Sequence, residues 1–170
     1  MEAHLYNAYV VAATLIIYGV LFIALENSSI TANPSITKVG HVSTKTALFI
    51  GLFQLLSLVP GTSRSGSTIL GAMVLGCSRG VAAEFSFFLG IPVMFGASLL
   101  KLVKFFVKGN VLTGPQIFYT ILGMAIAFGV SVYSIQFLMG YVRRHDFKFF
   151  GYYRIILGVV VLAYFGITAL

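Results

Sequence analysis

Apolar residues fall along this chain in long unbroken runs. They show neither the alternation of a half-buried strand nor the three-to-four spacing of a surface helix. The first run covers residues 8–25, eighteen positions without a charge, just enough to cross a hydrocarbon core of about 30 Å as a helix. A polar stretch follows, with Asn33-Pro34 as a turn signal and Lys38 and Lys45 as its bases, and reads as a loop outside the membrane. Two shorter runs, 46–59 and 69–77, flank the segment PGTSRSGST at 60–68. Neither run spans comfortably alone, and one span of 32 residues with an arginine at its middle is too long and too interrupted. The pattern predicts a re-entrant hairpin over 46–77: a helix in, a broken tip at membrane depth, and a helix out on the same side. Irregular backbone is tolerated at that depth where it is buried in protein or lines a polar cavity. Further spans are predicted over 82–100, over 116–139 and over 154–170, with Pro92 expected to kink the first of these. The fold class predicted is all-α: one polytopic membrane domain over 1–170, with about four transmembrane helices and one re-entrant hairpin.

Composition narrows the class. Hydrophobic residues make up 59% and charged residues 9%, with a mean hydropathy of +1.00. Ordinary soluble domains are about 25% charged, so this chain lacks the polar surface to cover itself in water. A soluble enzyme, a disordered regulator and a coiled coil are excluded. The net charge of +7 does not indicate nucleic acid, because the bases sit in short clusters between apolar runs, as membrane topology places them. With 46–77 re-entrant, one side collects seven bases (Lys38, Lys45, Arg79, Arg143, Arg144, Lys148 and Arg154) and the other three (Lys101, Lys104 and Lys108). The seven-base side is expected to be cytoplasmic, with both termini facing outward. As a full span the same segment gives five against five, so charge favours the hairpin. Tyr6, Tyr9, Tyr141, Tyr152 and Tyr153 near run ends suit an interfacial belt. The single Cys77 permits no disulfide within one chain, and no cleavable signal peptide is evident.

Arg64 is the residue that most needs an explanation. An ionised arginine in an apolar region costs at least about 2.5–3.5 kcal/mol, so it needs a partner or water and marks a site by default. Its neighbours are specific. Pro60 stops the incoming helix, Gly61 permits an unusual backbone, and Ser63, Ser65, Ser67 and Thr68 supply hydroxyls. Ser63 or Ser65 can cap the outgoing helix, whose first N–H groups then point at the tip. Exposed N–H groups, hydroxyls and a bidentate guanidinium suit a phosphate, and membrane depth suits one carried on a lipid. Glu84 is open to several roles: pairing with Arg79 or Arg64, coordinating a cation, or shuttling a proton. Gln54 either hydrogen-bonds across the hairpin or lines the site. His4, His41 and His145 lie in expected loops without a second ligand at metal spacing. Arg143-Arg144 reads as a topology determinant or a headgroup contact. The glycines of the spans read as sites of close helix packing.

The stretch Pro60-Gly61-Thr62-Ser63-Arg64-Ser65-Gly66-Ser67-Thr68 resembles the PGxSRSxxT motif of the undecaprenyl-diphosphatase, or bacitracin-resistance, family, with every fixed position matched. The flanking GLFQLLSLVPGTSRSG and GCSRGVAAEFSFFLGIPVMFGA match as well, and the resemblance covers essentially the whole chain. It implies a bacterial plasma-membrane enzyme that removes one phosphate from undecaprenyl diphosphate, recycling the carrier for peptidoglycan synthesis. It also implies two inverted repeats, each with a re-entrant hairpin, around a site open to the outer face, and a requirement for magnesium or calcium. Carried across by position, Ser63, Arg64 and Ser65 are expected to be catalytic, with Gly61, Thr62, Thr68 and Gln54 joining them in substrate binding. Family members extend further at the N-terminus, where a first motif carries paired glutamates and a Ser-Ser-x-Gly-His segment. The chain is therefore expected to lack the cation's ligands and to be weak or inactive unless a complementary N-terminal half or a second copy supplies them. A flippase or lipid-phosphate transporter, gripping the phosphate without hydrolysis, is the competing class.

Overall fold

The computed structural model describes residues 7–168, apart from the side chains of Arg143 and Thr168. His4 and Tyr6, and the expected headgroup contact of Arg143, lie outside this description. The chain forms α1 (Ala8–Glu26), a single-turn α2 (Ser29–Ala32), α3 (Thr44–Leu55), α4 (Arg64–Val74), α5 (Arg79–Val107), α6 (Gly114–Arg144) and α7 (Lys148–Thr168). Among the described residues there is no strand, only an isolated bridge between Ile36 and Cys77. Four helices, α1, α5, α6 and α7, are long and apolar enough to cross a membrane. The chain is an all-α polytopic membrane protein.

Burial supports that reading from a second direction. The buried core is small, gathered around Phe22, Ile50, Met73 and Ala82, while Phe95, Phe128 and Tyr133 are each at least 70% exposed. Such an outer surface is stable against lipid tails and not against water.

The span-length helices outrun the sequence-based bounds. The helix expected over 116–139 runs from Gly114 to Arg144, and the one expected from 154 begins at Lys148. Charge marks where a chain leaves the hydrocarbon, and a helix need not stop there. Helix α5 continues through Pro92, which has no N–H to donate to the Phe88 carbonyl.

Helices α1 and α7 pack antiparallel along a seam of small residues. A Cβ on Gly19 would stand 2.7 Å from the Gly151 carbonyl oxygen, and one on Gly158 would stand 2.9 Å from that of Ala12. These residues recur every seven positions on each helix, so the two backbones touch along a continuous stripe.

Helices α3 and α4 form the hairpin. At 12 and 11 residues they are about 16–18 Å long, too short to span. They meet where Phe53 lies over Gly71, whose missing side chain leaves room for the ring. Between them the chain passes through a 3-10 turn (Leu56–Leu58), Pro60, and Gly61 at φ +85, a conformation that L side chains resist. Gly61 lies against Val11 and Thr14 of α1, and the Thr14 hydroxyl donates to the Pro60 carbonyl at 2.8 Å. The break is thereby held against α1.

Candidate functional site

The first turn of α4 organises the site. Ser63 is its N-cap, and its Oγ accepts from the Gly66 N–H at 3.2 Å. The Arg64 and Ser65 N–H groups, at the first two helical positions, have no carbonyl of their own helix to bond and open at the hairpin tip. The four hydroxyls divide by helical position. Those of Ser63 and Ser65 lie 3.1 Å apart and line a cavity of about 150 Å³. Those of Ser67 and Thr68 are buried and bonded to the carbonyls of α4's own first turn. Thr68 also lies 2.6 Å from Ser86 Oγ, pinning α4 to α5.

Arg64 points the other way, toward α5 and α6. Its Nη1 donates to the Gly90 carbonyl at a long 3.4 Å, and Nη2 lies 3.7 Å from Met94 Sδ, a weak acceptor. Gly90 makes this possible, since a Cβ there would stand 2.5 Å from Nη2. The guanidinium shares a groove of about 430 Å³ with Glu84, Phe87 and Ser131. A guanidinium carries five N–H donors, so much of its capacity faces that groove.

The other sequence-predicted residues take distinct places. Gly61 shapes the break. Thr62 is buried, beside the Tyr18 side chain. Gln54 sits half-buried on α3 and lines neither cavity. Glu84 lines the Arg64 groove and also a larger polar cavity of about 630 Å³ on the loop side, with Lys38, Ser78 and Arg79. Arg79, offered by sequence as a partner for Glu84, turns instead to Glu26. Its Nε lies 2.9 and 3.0 Å from the two carboxylate oxygens, and Nη2 completes the pair. The same carboxylate accepts from the Phe147 N–H at 2.9 Å.

Arg154 is the residue that sequence reading missed. Counted there among the loop bases, it lies inside α7 and crosses to the first turn of α4. Both of its Nη atoms stand 3.5 Å from the place a Cβ on Gly66 would take. Its guanidinium carbon sits 5.8 Å from the centre of the Tyr18 ring, and Nη1 is buried without a hydrogen-bond partner. It lines the Ser63–Ser65 cavity. The signal was present: Arg154 falls three residues after Gly151 and four before Gly158, on the face that packs against α1.

Among the described residues no three His, Cys, Asp or Glu side chains converge to hold a metal ion. Those residues therefore offer no ligand set for the divalent cation that the resemblance implies.

Comparison with known proteins identifies relatives along nearly the whole chain. The family model described as bacitracin resistance protein BacA matches residues 1–160. A protein of Lactobacillus delbrueckii subsp. bulgaricus named undecaprenyl-diphosphatase is 58% identical over 161 residues, 95% of this chain and 58% of its own length. Proteins of the same name from Leuconostoc citreum and Limosilactobacillus fermentum are 55% and 56% identical, covering 95% and 99% of this chain and 57% and 61% of theirs. The chain thus spans about three fifths of the length of the curated relatives it matches. With a family model matched over nearly its whole length, the chain belongs to the BacA bacitracin-resistance family.

Proposed function

We propose that this chain supplies the phosphate-gripping part of a polyprenyl-diphosphate phosphatase in the bacterial plasma membrane, acting in the recycling of the lipid carrier for cell-wall synthesis. The observation that carries the reading is Arg64 at the tip of a hairpin too short to span. Its guanidinium opens on a groove between two span-length helices, α5 and α6. In phosphoryl transfer most of the rate comes from positioning and from charge stabilisation on the non-bridging oxygens. A guanidinium in a largely apolar groove, at the same tip as the first-turn N–H groups of α4, is suited to that work. The scissile bond would be the P–O–P linkage: water enters, and inorganic phosphate leaves from the lipid monophosphate. On this reading the cation's ligands and the group that activates the nucleophile come from a complementary segment or a second copy of the chain.

The test is phosphate release from a polyprenyl diphosphate by the chain in detergent with magnesium, beside Arg64→Ala. Release that is lost in the variant supports the reading. Release undiminished in Arg64→Ala overturns it. Tight binding without release by the wild-type chain would assign it the grip and leave the chemistry to the complementary segment.

A further inference from the structure

We infer that Ser86 and Gly90 of α5 are positioning residues for Arg64: they fix the register in which α4 lies on α5, and that register sets where the guanidinium stands. For its consequence in binding, the inference rests on the diphosphatase reading and deepens it.

Two contacts define the register. Thr68 Oγ1 meets Ser86 Oγ at 2.6 Å, and Arg64 Nη1 meets the Gly90 carbonyl at 3.4 Å. Arg64 and Thr68 stand four residues apart on α4, as Ser86 and Gly90 do on α5, so each pair shares one helix face. The two faces run in opposite directions. Continued by one turn, the same spacing sets Ala72 opposite Ala82, and both are fully buried. Small side chains at 82, 86 and 90 let α4 approach α5 closely. A side chain at 90 would close the place Arg64 takes, since a Cβ there would stand 2.5 Å from Nη2.

The hydroxyl pair is directional. Each hydroxyl has one proton to give. Thr68 Oγ1 lies 3.1 Å from the carbonyl oxygens of Arg64 and Ser65 and spends its proton there. Ser86 then donates to Thr68 Oγ1. The chain of bonds runs from α5 through Thr68 to the backbone of the residue that carries the guanidinium, and bonds in such a chain strengthen one another. Thr68 is 1% exposed and Ser86 5%, so water replaces neither partner. The Thr68 hydroxyl is thus committed before any substrate arrives, and it serves the phosphate site through the Arg64 backbone. An arginine stem is long and rotamer-rich. Holding its helix in register and its head against Gly90 removes part of the ordering cost that binding would otherwise carry.

The experiment has two readouts on the intact chain in detergent micelles, with helicity checked by circular dichroism. The first is modification by phenylglyoxal, an arginine reagent, followed by mass spectrometry of the peptides bearing Arg64 and Arg79. Ser86→Ala and Gly90→Ala should each raise the rate at Arg64 by at least about threefold, the loss of an ordinary hydrogen bond, and leave Arg79 unchanged. Thr68→Val with Ser86→Ala, which removes both hydroxyls, should leave Arg64 equally loose. An unchanged Arg64 rate in folded Ser86→Ala or Gly90→Ala overturns the inference. So does an equal rise at Arg79, which would mean general loosening, or a wild-type rate in the double variant, which would assign the register to packing alone. The second readout is affinity for farnesyl diphosphate. Ser86→Ala should weaken it by at least about threefold when Arg64 is present and leave it unchanged in the Arg64→Ala background. Equal loss in both backgrounds overturns the positioning role. If Arg64→Ala binds as wild type does, the functional reading fails, and the labelling still decides whether α5 places Arg64.

Discussion

Glu26 holds three parts of the fold at one point, and its removal has a calculable cost. The carboxylate at the end of α1 is fully buried, whereas the Arg79 side chain that meets it is 38% exposed. One oxygen also takes the Phe147 N–H, in the turn that starts α7. In Glu26→Gln the amide oxygen can still serve Phe147, while Arg79 loses its charge-assisted bonds and water reaches its exposed side. The loss is then that of a hydrogen bond to a charged group, about 1.5–3 kcal/mol, a roughly 10- to 100-fold drop in the folding equilibrium. Glu26→Ala strands both donors and should cost about 3–5 kcal/mol, the range for breaking a buried pair from one side. The charge swap Glu26→Arg with Arg79→Glu restores attraction but aims a guanidinium at the Phe147 N–H. It should therefore remain at least about 1 kcal/mol below wild type. The assay is unfolding of the detergent-solubilised chain by sodium dodecyl sulfate, followed by circular dichroism. A wild-type midpoint for Glu26→Gln, or full recovery in the swap, would refute the reasoning.

Further outcomes follow from packing. Gly158→Ala places a methyl 2.9 Å from the Ala12 carbonyl, so α1 and α7 must part, costing about 1–3 kcal/mol in the same unfolding assay. Gly123→Ala, on an open face of α6, should be neutral or stabilising by up to about 1 kcal/mol through helix propensity. Thr68→Val keeps the volume and strands the buried Ser86 hydroxyl, costing about 1–3 kcal/mol; adding Ser86→Ala should recover part of that, as a double-mutant cycle reads it.

The break between the two short helices was legible because its signals are local. Two runs too short to span meet at Pro60-Gly61, and Ser63 announces the next helix. Ser63 as N-cap and Gly61 as the left-handed residue follow from side-chain chemistry alone. The partition of the motif between two cavities was not drawn from the sequence, although its cause is elementary. Ser63 is the extended N-cap, so its Oγ can turn to Ser65, while Arg64 at the first helical position reaches out to Gly90 of α5. Long-range choices were beyond reach. Arg79 had Glu84 nearby in sequence and Glu26 far from it, and only the packing of α1 beside the start of α5 selects Glu26. Arg154 looked like one more topology charge because sequence does not show that its helix begins at Lys148 and carries its guanidinium, with Nη1 buried, to the first turn of α4.

The central claim is that Arg64 grips a diphosphate at the hairpin tip. Its most direct test is equilibrium binding of a prenyl diphosphate to the intact chain in micelles, wild type against Arg64→Ala. Loss of a charge-assisted contact worth about 1.5–3 kcal/mol predicts roughly 10- to 100-fold weaker binding in the variant, with helicity retained. Equal affinity in the two folded proteins would contradict it.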